Sequence, residues 1–175
     1  LDAQSVDGAR LRDLRTAGHW LWLHFNTSDA RTVQAIADLQ LPEGASETLL
    51  SHDTHVSLQL EGATASGVFV DWRHQRGTDP GKRSFARDDH EVGWMHFAVG
   101  EGLMVSARRH ALQSVEQVRQ HVAGGVSFDS DTDLLEAIVS QFSASVAHAP
   151  LDLGEQLDRI EDRLLAYRTA PARPD

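Results

Sequence analysis

The stretch from residue 91 to residue 107 constrains the fold more than any other part of the chain. Two apolar runs, 91–99 and 103–107, are separated only by Gly100-Glu101-Gly102. Glycine enters left-handed backbone conformations at no steric cost, and a tight turn between twisted strands needs them. The two runs therefore pair as an antiparallel hairpin, with Trp94, Met95 and Phe97 in its first strand. Any fold of this chain has to contain that ladder.

The remaining segments are placed around it by their own periodicity. Residues 18–26, GHWLWLHFN, are apolar at nearly every position, as a strand covered on both faces is. Thr27-Ser28-Asp29 supplies N-cap side chains, and Val33, Ile36, Ala37 and Leu39 follow at helical spacing until Pro42. A second short helix is expected from about 45 to 50. Residues 56–60 alternate in hydropathy, Glu61-Gly62-Ala63-Thr64 has turn composition, and 67–72 reads as the returning strand. The polar residues 74–89 contain Gly77, Pro80 and Gly81 and read as a mobile surface loop.

The C-terminal third is helical in pattern. Ser114-Val115-Glu116-Gln117 has the form of a capping box, Val115, Val118 and Val122 share one side, and Gly124-Gly125 stops the helix. Ser130 is placed to cap a further helix whose apolar stripe is Leu134, Leu135, Ile138, Val139, Phe142 and Val146. Pro150 interrupts the pattern, which resumes as a narrow seam at Leu153, Leu157, Ile160, Leu164 and Leu165. The element order is β, α, α, β, β, β, β, α, long α. A sheet with helices on its faces is the simplest packing of that order.

Length and composition set the class. A chain of 175 residues with 41% hydrophobic content suits one domain with one sizeable core. Residues 17–110 form its sheet-containing part, 111–168 its helical region and 169–175 a linker. Leu1 at the start and the Pro-rich 170–175 at the end are expected of a piece of a longer protein. The formal charge of −10, with Lys82 the single lysine, argues against nucleic acid as a partner. Without cysteine there are no disulfides, thiolate metal sites or thiol nucleophiles. No apolar run approaches the roughly 20 residues that span a bilayer.

Catalytic motifs do not converge. G-x-S-x-G, P-loop, G-x-G-x-x-G and H-E-x-x-H patterns are missing, so the chain reads as non-enzymatic. His52, Asp53 and His55 lie together after the short helix, and imidazole with carboxylate suits a zinc-class ion. A structural zinc site takes about four ligands, and a solvated polar turn is the weightier reading of three clustered candidates. His24 and His96 sit inside apolar strands and read as satisfied core histidines. Asp129, Asp131 and Asp133 alternate but lack the glycine and final Glu of an EF-hand loop, so they read as acids at a helix N-terminus. Asp152, Glu155, Asp158, Glu161 and Asp162 crowd the last helix, either as a solvated face or as a cation-attracting stripe.

Several segments together resemble a family. They are W-x-W-x-H at Trp20, Trp22 and His24, then E-x-L-L at Glu47, then the run from Glu91 to Leu112 ending in S-A-R-R-H-A-L, and last L-D-R-I-E-D-R-L-L from Leu157 to Leu165. In that order they look like the cytoplasmic domain of CorA-type divalent cation transporters, nearer the zinc-transporting ZntB branch than the magnesium branch. The resemblance implies an αβα fold whose mixed sheet is mostly antiparallel, with a long C-terminal helical pair leading to a stalk. It also implies a homopentamer on the cytoplasmic side of the bacterial inner membrane, and membrane helices with a Gly-Met-Asn signature beyond Asp175. The fragment itself is then non-conducting, and monomeric or weakly associated. The expected cargo is a divalent metal cation: zinc first, with magnesium, cobalt or nickel as alternatives. Candidate metal contacts are Glu47, which falls near a family acid, with His52, Asp53 and His55. The chain departs from the family pattern in having His55-Val56 where Arg-Pro is common, and Ser140 where the magnesium branch has an acid. The rival reading is a stand-alone soluble domain that binds a ligand or metal for regulation.

Overall fold

The computed structural model describes residues 20–74 and 92–147. The polar loop after His74, the Leu153-to-Leu165 seam with its acids, and the terminal linker lie outside the described residues. Within them the order is β1 (Leu21–Asn26), α1 (Arg31–Ala37), α2 (Glu43–Leu50), β2 (Ser57–Glu61), β3 (Thr64–Trp72), β4 (Val92–Gly100), β5 (Leu103–Arg108) and α3 (Gln113–Ala123). A further helix, α4, covers residues 131–147. The strands form one sheet in the order β1-β5-β4-β3-β2. Only β1 and β5 are parallel; the other three pairings are antiparallel. The expected mixed, mostly antiparallel sheet between helices is the observed fold.

The central hairpin forms as its glycines require. Gly100 pairs with Leu103, and Glu101 and Gly102 between them have φ of 53° and 75°. Two left-handed residues in succession make a type I′ connection, whose twist matches that of the strands.

Strand alternation then divides the core into two layers. Met95, Phe97 and Val99 of β4, with Met104 of β5, pack against Leu112, Val115, Val118, Leu134 and Ile138 at α3 and α4. On the opposite face Ala98, Leu103, Val105 and Ala107 meet Ile36, Leu39, Ala45 and Leu49 at α1 and α2. Leu49, Ile138 and Met104 are fully buried, each worth about 1.5–3 kcal/mol of hydrophobic stabilisation.

The outer strands are where tertiary position overrides sequence pattern. β1 has apolar side chains on both faces but is only half-buried, because it lies at one end of the sheet. β2 lies at the other end and is exposed throughout, with Leu58 70% and Leu60 77% accessible. In α1 the expected Val33 is exposed and Thr32 is buried, its hydroxyl donating to the Asn26 carbonyl at 2.8 Å. The α4 stripe holds at Leu134 and Ile138 but fades at Val146, which is 42% exposed.

Helix ends show both agreement and correction. Ser130 caps α4 as expected, its hydroxyl accepting the Asp133 N–H at 3.1 Å. Gly124 ends α3, and Gly125 follows at φ 97°. At α1, however, the cap position is Ala30, and Asp29 instead closes a local turn on the Arg31 N–H. The capping box at Ser114 does not form either. Ser114 lies inside the first turn of α3, and Leu112 occupies the cap position with no side-chain cap.

Candidate functional site

The parallel register of β1 on β5 sets Trp22 opposite Met104, His24 opposite Ser106 and Asn26 opposite Arg108. Alternate residues of the two strands therefore meet on one face. There Trp22 Nε1 donates to Ser106 Oγ at 2.9 Å, and His24 Nδ1 lies 2.7 Å from the same oxygen. Arg108 Nε donates to His24 Nε2 at 2.7 Å. A guanidinium has no lone pair to offer, so Nε2 must be the acceptor and the imidazole proton sits on Nδ1. Ser106 thus accepts two N–H bonds in a fully buried position. Burial, and next the Arg108 cation, push the His24 pKa down to about 3, so this histidine is neutral.

His96 is the second core histidine. Its Nδ1 donates to the Thr48 carbonyl at 2.8 Å, fastening α2 to β4, and burial lowers its pKa. Both strand histidines are hydrogen-bonded core residues, as their apolar surroundings in the sequence imply.

The four cation candidates lie on α2 and the connection to β2, and all are exposed. Asp53 Oδ1 accepts the His55 backbone N–H at 3.0 Å and contacts His55 Nδ1 at 2.6 Å. That bond to His55 holds the Asp53 carboxyl below its ordinary range. The structure thus brings Asp53 and His55 together. Among the described residues, no three His, Asp or Glu side chains are gathered closely enough to hold a metal ion. Glu47 and His52 accordingly do not complete a site with that pair. Asp131 is buried at the start of α4, where its Oδ1 accepts the Thr132 N–H, and Asp133 gives its own N–H to Ser130. Ser140 is exposed on α4.

Two arrangements escape a reading of the sequence. One is the Trp22–Ser106–His24–Arg108 network. Alternation places Trp22 and His24 on one face and Ser106 and Arg108 on one face, yet nothing local shows that β1 pairs with β5. The other is Asp71, fully buried in β3, which bonds Ser114 of α3 across 43 residues.

Comparison with known proteins places this geometry. The sequence matches the family model described as CorA-like Mg2+ transporter protein over residues 17–174. No curated protein matches the chain. The fold is similar to the ZntB cytoplasmic domain from Vibrio parahaemolyticus, with TM-score 0.64, 15% identity, and coverage of 81% of this chain and 55% of that one. It is similar to the full-length CmaX protein, with TM-score 0.68, 18% identity, and coverage of 89% and 45%. The soluble domain of CorA from Methanocaldococcus jannaschii gives TM-score 0.66 and 11% identity, covering 92% and 60%. The chain thus spans roughly half the length of the solved proteins it resembles. At these identities the structural likeness is one of fold, and the family assignment rests on the sequence match. The chain belongs to the CorA-like Mg2+ transporter protein family.

Proposed function

We propose that this chain is the cytoplasmic domain of a divalent metal cation transporter of the bacterial inner membrane, gathering cations and regulating their passage without conducting them. The observation that carries this reading is the family match over residues 17–174. The αβα sandwich shared with the ZntB and CorA soluble domains accords with it. No helix among the described residues is long and apolar enough to cross a membrane. This reading leaves conduction to other segments of the parent protein. A formal charge of −10 raises the local concentration of cations at the protein surface.

Within the family we place the chain in the zinc-transporting branch, as a subunit of a homopentamer. The donors that support zinc are imidazoles, which suit zinc-class ions better than magnesium. Asp53 and His55 are held in contact and supply two donors. Zinc takes about four ligands, so this reading draws the remainder from outside the described residues or from a neighbouring copy. In this reading Glu47 and His52 of a neighbouring copy are the candidates for the remainder.

The test is ion flux. The full-length parent protein, reconstituted in liposomes, is expected to admit a divalent cation, with zinc ahead of magnesium, cobalt and nickel. Failure to move any of the four refutes the transporter reading, and preference for magnesium refutes the zinc branch alone. Calorimetric titration of the isolated chain with the same four ions addresses the Asp53–His55 contact separately. His55→Ala should remove any zinc heat that arises there.

A further inference from the structure

The three most exposed large apolar side chains among the described residues lie together at one end of the sheet: Val56 at 66%, Leu58 at 70% and Leu60 at 77% accessible. Leu58 and Leu60 belong to β2, the last strand in the order, and Val56 directly precedes it. Pairing puts Leu58 in line with Gly67 and Phe97, and Leu60 in line with Ala65 and Val99. The two leucines therefore carry the apolar layer of the α3–α4 face out into solvent. On the opposite face Gln59 donates to the Gly44 carbonyl at 3.2 Å and to Thr48 Oγ1 at 2.6 Å, and Glu61 accepts the Gly44 N–H at 3.1 Å. These bonds to α2 hold the strand in place before any partner arrives.

The turn between β2 and β3 fixes which backbone groups face outward. Glu61 pairs with Thr64 across Gly62-Ala63, with Gly62 at φ 61°. A two-residue connection makes its closing pair exchange backbone bonds, and the pairs then alternate. Glu61, Gln59 and Ser57 thus bond β3, while the N–H and C=O groups of Leu58 and Leu60 point away from it. No described strand lies beyond them. An outward row of this kind is a template for another strand.

We propose that two copies of this chain pair through β2, antiparallel about a two-fold axis at Leu58, joining two five-stranded sheets into one. The sequence of the strand selects both the second copy and the register. Leu58 faces Leu58, Val56 faces Leu60 and Glu61 faces His55, so each of the three apolar side chains meets another and no like charges meet. With the axis moved to Gln59, Val56 faces Gly62 and loses its apolar partner. A parallel pairing brings Glu61 beside Glu61. A two-fold contact does not close a five-membered ring, so this pairing is separate from the homopentamer proposed above. Three apolar side chains per copy fall short of the roughly 800 Å² per partner that stable complexes bury. The pairing is therefore weak and depends on concentration.

The experiment is sedimentation equilibrium of the 175-residue chain between about 10 µM and 1 mM. A monomer–dimer equilibrium is expected. Leu58→Lys sets two like charges on the axis and should weaken it at least about tenfold. Leu58 is open to solvent, so this change tests the contact without disturbing the core. The chain has no cysteine, so single-cysteine variants read the register. The two Leu58 Cα atoms on the axis would lie about 5.5 Å apart, within disulfide reach. The two Leu60 positions are four residues out of register, about 13 Å apart. Leu58→Cys should therefore form oxidised dimer about tenfold faster than Leu60→Cys. A monomer throughout the range, a dimer insensitive to Leu58→Lys, or equal oxidation rates in the two cysteine variants overturns the proposal. So does a loss of stability in dilute Leu58→Lys, which would show that a segment of the same chain covers the edge.

Discussion

The Asp71 carboxylate holds the first turn of α3 from 43 residues away, accepting the Ser114 backbone N–H at 2.9 Å and the Ser114 hydroxyl at 2.8 Å. The first N–H groups of a helix have no partner within it, and the helix dipole favours negative charge at that end. Here the acceptor comes from the sheet, so one side chain both terminates the helix and fastens it to β3.

Removing that acceptor strands both buried donors of Ser114 and takes a bond from the Trp72 N–H. Asp71→Ala is expected to cost about 2–4 kcal/mol, and Ser114→Ala less, about 1–2 kcal/mol. A double-mutant cycle followed by urea denaturation should show strong coupling between them. Additive losses would mean that the two groups act separately.

The same pair gives a pH signature. Burial pushes the Asp71 carboxyl above its ordinary range, against the opposing pull of bonds from Ser114, Trp72 and Val115. The native state then holds this proton more tightly than the unfolded chain. This group's contribution is therefore most favourable at low pH and is lost as pH rises through the raised value. In Asp71→Asn that decline should be absent when unfolding midpoints are compared across the acid range.

His24 titrates with the opposite consequence. Its native pKa of about 3 lies below the ordinary 6.5, so the unfolded chain binds the proton first. Stability from this group is complete above pH 6.5 and is lost progressively as pH falls toward 3. His24→Gln, which keeps a donor and an acceptor without titrating, should flatten the stability profile between pH 7 and pH 5, allowing for the similarly directed His96. The His24 ring resonances should still report a neutral imidazole at pH 5; a protonated ring there would contradict the assignment.

Gly67 is required by a neighbouring strand. A Cβ at this position of β3 would lie 2.1 Å from the Ser57 carbonyl oxygen and 3.1 Å from the Phe97 ring. Backbone cannot yield as a flexible side chain does, so Gly67→Ala is expected to unpair β2. Hydrogen exchange should show protection lost across Ser57–Glu61 while the β4–β5 ladder stays closed.

Burial separates leucines that look alike in the sequence. Leu49→Ala, at a fully buried position on α2, should cost about 2–5 kcal/mol. Leu58→Thr and Leu60→Thr on exposed β2 should change stability by less than about 0.5 kcal/mol. Thermal melts of the three variants decide the point, and a large loss at Leu58 would show that something covers it.

The sequence by itself determined the local elements. The Gly100-Glu101-Gly102 turn, the stop at Gly124-Gly125, the Ser130 cap and the core positions Leu134 and Ile138 were legible because turns, caps and helical faces depend on residues within a few positions of each other. The polar character of the Asp53–His55 turn was legible for the same reason. Pairing between distant segments was not. Only the tertiary structure set β1 beside β5, which joins Trp22 and His24 to Ser106 and Arg108. It also brought Asp71 under Ser114 in place of a local capping box, and left the apolar side chains of β2 on an open edge while burying Thr32 ahead of Val33. Alternation reports which residues share a face of a strand but carries no record of the strand alongside. A buried carboxylate likewise takes its partner from whatever helix end packs over it, so these contacts exist only once the layers have assembled.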